Sequence, residues 1–102
     1  MKRLALFFLP LAACAMTEPP VSEMAAAREM VAQARAIAAQ DAPQDLATAQ
    51  SKLAHAEAAM QREHYEHARL LAQQAEADAK LAWTNAEKLQ AQRALREERS
   101  GR

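Results

Sequence analysis

Glycine is almost missing from this sequence: Gly101 is the only one among 102 residues. A glycine-rich loop that cradles phosphate is therefore excluded, because such loops need backbone conformations that other residues resist. Cysteine is equally scarce. Cys14 stands alone, so no internal disulfide can form. An excess of charge of one sign is lacking too, with 13 basic and 13 acidic side chains. Nucleic-acid binding would call for a clustered basic face, and none is present. The longest apolar run, Leu4 to Leu11, is about half the ~20 residues of a membrane-spanning helix, so a permanent transmembrane segment is not expected.

What is present in quantity is alanine, at 28 positions. Alanine is the best helix former and glycine nearly the worst, so the sequence predicts an all-α chain. Alanine also buries little area, so the core should be thin unless helices pack closely or chains associate.

The amino terminus reads as an address. Lys2 and Arg3 precede the apolar run, and small residues follow it, the pattern of a secretory signal over residues 1–13. Leu11-Ala12-Ala13-Cys14 resembles the bacterial lipobox. That resemblance implies a diacylglycerol thioether on Cys14, cleavage before it and acylation of the new amino terminus. The alternative is ordinary cleavage after Ala15, which leaves a soluble periplasmic protein without cysteine. On the lipobox reading, Ala15 rather than Asp after the cysteine implies the outer membrane, facing the periplasm. Several acyl chains at about 0.8 kcal/mol per buried methylene make such an anchor stable. Cleavage at Cys14 removes Lys2 and Arg3 and leaves 11 basic against 13 acidic side chains.

Residues 14–21 form a tether stiffened by Pro19-Pro20. Three helices are expected after it, at about 22–40, 43–62 and 63–98, with a disordered tail at 100–102. In the first, with Ser22 as its cap, Met24, Ala27, Met30, Val31, Ala34, Ile37 and Ala38 form one apolar stripe. Asp41 and Pro43 mark the start of the second, where Leu46, Ala49, Leu53, Ala56 and Met60 recur at 3-4 spacing. The third carries a seam of Ala68, Ala72, Ala75, Ala79, Ala82, Ala86 and Leu89. The expected architecture is an antiparallel helical hairpin or an up-down-up three-helix bundle. Its long third helix is expected to overhang from about Asn85 to Glu98.

Leu70, Ala77 and Leu81 fall opposite that seam. A helix with two apolar stripes touches two neighbours, so either the first helix covers the second stripe or it is a face for an envelope-protein partner or for self-association. Trp83 is the other candidate anchor, since tryptophan is enriched in binding hot spots, although it also suits the flank of an alanine core. Leu70, Ala77, Leu81 and Trp83 are therefore the candidate partner face.

Ala42-Pro43, Asp45-Leu46, Ala49, Lys52-Leu53, Ala56 and Ala59, then Tyr65, Ala68, Leu71-Ala72, Ala75 and Asp78-Ala79, resemble domain-of-unknown-function family 4398. Its members are alanine-rich envelope lipoproteins, and in some chains the domain precedes an OmpA-like module. The resemblance implies a helical fold and an envelope location, with no activity and no functional residue to transfer. The same stretch is similar to a single tetratricopeptide unit through Ala56, Tyr65, Ala68 and Ala75. Ala56 replaces the usual glycine of that unit, and no second unit follows.

His64 and His67 are three apart and could approach one metal, but the zinc-protease order H-E-x-x-H is absent and no third ligand is evident; His55 lies on another helix. Ser22, Ser51 and Ser100 with Thr17, Thr48 and Thr84 form no recognisable nucleophile constellation. No catalytic, cofactor or metal residue is therefore assigned, and no small-molecule substrate is expected. Two function classes remain. One is a lipid-tethered adaptor that presents a face to an envelope protein. The other is a structural spacer, an alanine-zipper oligomer resembling the major murein lipoprotein. That family attaches to the cell wall through a terminal lysine, where this sequence has Arg102.

Overall fold

The computed structural model describes residues 18–101, which fold as three helices: α1 (Val21–Asp41), α2 (Pro43–Gln61) and α3 (Tyr65–Ser100). They run up, down and up. α1 and α2 both lie along α3 and meet each other over a smaller surface, making a three-helix bundle rather than a bare hairpin. No strand occurs among the described residues.

Each boundary has a local cause. Pro20 occupies the cap position of α1, and its carbonyl accepts the Met24 N–H at 3.0 Å. Ser22 lies inside the first turn and makes no cap, contrary to expectation. The break between α1 and α2 is one residue, Ala42, at φ −144° and ψ 56°. Proline at position 43 crowds the residue before it out of the helical region, then begins α2 where its missing N–H costs nothing. Asp41 therefore ends α1 and does not cap α2.

The turn from α2 to α3 is a Schellman closure. The Glu63 N–H donates to the Met60 carbonyl at 3.0 Å, and the His64 N–H donates to the Ala59 carbonyl at 2.9 Å. Glu63 itself sits at φ 63°, a left-handed conformation normally given to glycine. α3 begins at Tyr65 rather than Glu63 and continues through Ser100, which belongs to the helix and not to a tail.

The core follows the predicted stripes closely. Met24, Ala27, Val31, Ala34 and Ala38 of α1 are buried, as are Leu46, Ala49, Ala56 and Ala59 of α2. They close on Ala68, Ala72, Ala75, Ala79, Ala82 and Ala86 of α3, each without exposed surface. Larger side chains come from the covering helices and rest on the alanine surface of α3. Met30, Ile37 and Leu53 pack at one end, and Leu53 and Met60 at the other, where Leu71 of α3 itself joins them. Leu89 departs from the expected seam, with 42% of its surface exposed. α1 and α2 turn at that level, so Leu89 borders an open depression beside Pro43 and Asp45 instead of lying under a helix.

Four interhelical ion pairs agree on the register. Glu23 meets Arg69 at 3.7 Å, Arg28 meets Glu57 at 3.0 Å, Lys52 meets Asp78 at 3.0 Å, and Asp41 meets Arg93 at 2.6 Å. Exposed pairs of this kind contribute about 0–1 kcal/mol each, so alanine packing sets the fold and the charges select its alignment.

Candidate functional site

The geometry of α3 is set by what lies on each side of it. Arg69, paired with Glu23, marks the flank facing α1. Asp78, paired with Lys52, and Asn85, which donates to the Asp45 carboxylate at 2.8 Å, mark the flank facing α2. The alanine seam lies between these flanks. At about 100° per residue, Leu70, Ala77 and Leu81 point the opposite way, out of the bundle.

These three residues are exposed, Leu70 and Leu81 each retaining half of their accessible surface. The expectation that α1 covers this second stripe is therefore corrected. α1 docks on the alanine seam beside α2, because paired small residues let all three helices approach, and it never reaches the outer face. Leu95, 54% exposed, lies on the same outward side and extends the stripe toward the end of α3. Its recurrence fourteen residues after Leu81 was the available signal.

Trp83 does not join them. It lies about 140° around the helix from Leu70, on the flank facing α1 with Tyr65, and both side chains are partly buried. The candidate face thus reduces to Leu70, Ala77 and Leu81 with Leu95, and Trp83 serves the edge of the core.

At the far end of the bundle α3 holds the turn between α1 and α2. Asp41 accepts hydrogen bonds from Gln90 Nε2 at 3.0 Å and from the Arg93 guanidinium at 2.6 Å. The Gln90 bond, followed by the Arg93 bond, holds the Asp41 carboxyl below its ordinary value; burial opposes them, and the Arg93 charge adds the least. Asn85, Gln90 and Arg93 therefore belong to the bundle, and the free overhang begins after Arg93 rather than at Asn85. A shallow, open depression beside this latch is lined by Pro43, Asp45, Asn85, Lys88 and Leu89.

His64 stands at the cap position of α3, His67 is exposed one turn on, and His55 is exposed on α2. Among the described residues no three histidine, cysteine, aspartate or glutamate side chains are grouped to hold a metal ion. No described helix is long and apolar enough to cross a membrane. Cys14 and residues 1–13 lie outside the described residues.

The family model of a domain of unknown function, DUF4398, matches residues 22–97. The chain belongs to that family. The match takes in all of α2, nearly all of α1 and most of α3, so the whole described bundle is the DUF4398 domain. No curated protein and no solved structure matches the chain. Membership brings no activity, and the outward face of α3 is an aligned apolar stripe that the packing of this DUF4398 chain leaves uncovered.

Proposed function

We propose that this protein is a non-enzymatic interaction module of the bacterial envelope, an adaptor tethered to the outer membrane through acylated Cys14 and facing the periplasm. The observation that carries the adaptor reading is the uncovered stripe of Leu70, Ala77, Leu81 and Leu95, opposite a seam that is already filled. Apolar side chains aligned along one exposed helix face are what a helical or concave protein surface recognises. The anchor rests on Leu11-Ala12-Ala13-Cys14 and the short apolar run before it.

The register of the bundle gives the tether a direction. Glu23 lies beside Arg69, so the start of α1 and the α2–α3 turn share one end, and the overhang of α3 leaves from the other. A single anchored chain would hold the α2–α3 turn near the bilayer and carry Leu95 away from it. The spacer reading draws less support. It requires alanine seams to pair between chains, whereas here the seam of α3 is occupied by α1 and α2 of the same chain.

Mass spectrometry of the amino-terminal peptide tests the anchor. The expected product begins at Cys14 and carries diacylglycerol on sulfur with a third acyl chain on nitrogen, and Cys14→Ser should leave the outer-membrane fraction. A peptide beginning at Met16, without lipid, would overturn the anchor in favour of ordinary secretion.

A further inference from the structure

The outward stripe is longer and more regular than its leucines alone suggest. Leu70, Gln74, Ala77, Leu81, Thr84, Lys88, Ala91 and Leu95 follow one another at alternating steps of four and three, the spacing of a two-stranded coiled-coil seam. All are exposed except the half-buried Gln74. The run covers 26 residues of α3, about 38 Å. Its composition constrains what can lie on it. A parallel copy would place Lys88 against Lys88 of the other copy in a shared layer, with like charges opposed in the seam.

Turned antiparallel about a point between Ala82 and Trp83, the seam becomes complementary to itself. Leu70 then meets Leu95 of the second copy, and Leu81 meets Thr84. The long stem of Lys88 passes over the small Ala77, which leaves its ammonium room to reach water. On one flank of the seam, Lys80 of each copy lies on the same side as Glu87 of the other and only about 3 Å further along the axis, within reach of a long side chain, giving two opposite-charge pairs by symmetry. Lys80 is exposed and only loosely engaged, at 3.6 Å from Glu76, and Glu87 makes no ion pair among the described residues. Size and charge agree on one arrangement.

From this we infer that the outward face of α3 is a self-association surface, occupied by a second copy of this chain in an antiparallel, twofold arrangement. The inference rests on the reading of that face as an interaction surface and names its partner. A dimer of this kind uses the same patch on both chains and closes, so it stops at two. It also places the two α1 starts at opposite ends of the pair, about 40 Å apart. Anchored chains paired this way lie along the membrane instead of standing on it.

Thiol cross-linking of the full chain in isolated envelopes tests this directly. Leu70→Cys chains co-expressed with Leu95→Cys chains should yield a mixed dimer with a short bifunctional reagent, whereas Leu70→Cys alone should not. The unsubstituted chain, whose one thiol is Cys14, is the control that reports whether that thiol is blocked. Independently, Lys80→Glu should weaken the dimer about tenfold in sedimentation equilibrium of the detergent-solubilised chain, from two lost pairs plus repulsion. Lys80→Glu combined with Glu87→Lys should restore it. Within one chain these positions lie seven residues apart, about 10 Å, so rescue can only report a contact between copies.

A cross-link of Leu70→Cys to itself would overturn the antiparallel arrangement, and an unsubstituted chain that stays monomeric would overturn self-association altogether. In that second case a Leu81→Cys product of a different mass would keep the face as an interaction surface with another protein. Absence of any product would remove both readings.

Discussion

Glu63 holds a left-handed backbone because the Schellman closure of α2 needs one there, and a side chain at that angle costs about 1 kcal/mol. Replacing Glu63 by glycine removes the Cβ from the strained position. The expected result is stabilisation of about 0.5–1 kcal/mol, read as a higher urea midpoint with an unchanged slope. Asp41 offers a second test at this scale. Its carboxyl is held below the ordinary value by Gln90 and Arg93, so the folded chain favours the charged form. The resulting stabilisation is complete above the ordinary carboxylate value of 3.8 and is lost as pH falls through the lower folded-state value. Asp41→Asn should therefore be less stable than the unsubstituted chain at neutral pH, and the difference should shrink as pH drops below 3.8. Equal pH profiles for the two chains would place the latch elsewhere.

Among the elements, α3 carries two stripes with opposite demands. Its inner face admits only alanine, because α1 and α2 close onto it with no remaining space. Ala79→Leu should cost about 1–3 kcal/mol by overpacking, seen as a lower thermal midpoint. Ala77→Leu, two residues away but outward, should change folding stability by no more than about 0.5 kcal/mol. Equal losses at the two positions would mean that the outer face is packed in the folded chain. The helix limits were legible from Pro43 and from the end of the 3-4 spacing at Met60. Both rest on local backbone chemistry, which a sequence displays. The cap of α1 was less so. Ser22 has the right side chain, yet Pro20 takes the cap position two residues earlier and leaves Ser22 inside the first turn.

For the molecule as a whole, α1 decides whether a bare hairpin or a bundle forms. Met24 is its largest fully buried side chain, packed with Ala27, Ala56, Ala72 and Ala75. Met24→Ala should cost about 2–5 kcal/mol, a large part of what so thin a core holds. Leu89→Ala, on the expected seam but half-exposed beside the α1–α2 turn, should cost far less than that. Both are measured by chemical denaturation at a protein concentration that keeps the chain monomeric. A comparable loss at Leu89 would mean that the α1–α2 turn packs on it as tightly as the helices pack on the alanine seam.

Alanine content and the near absence of glycine determined helix by themselves, since propensity is a property of single residues summed along a chain. Spacing determined which face of each helix is apolar, and six of the seven residues of the α3 seam are buried as their period requires. The family and its helical fold were likewise legible in the residues from Ala42 to Ala79. Only the tertiary structure decided how the apolar faces are shared. Leu70, Ala77 and Leu81 have a stripe's spacing whether or not anything covers them. Their exposure follows from α1 docking beside α2 on the alanine seam. Trp83 shows the same division: its identity marks it as an anchor, but its angle around α3, fixed by where α1 lies, puts it at the edge of the core. A period names a face, and the packing of the other helices decides whether that face is left for a partner.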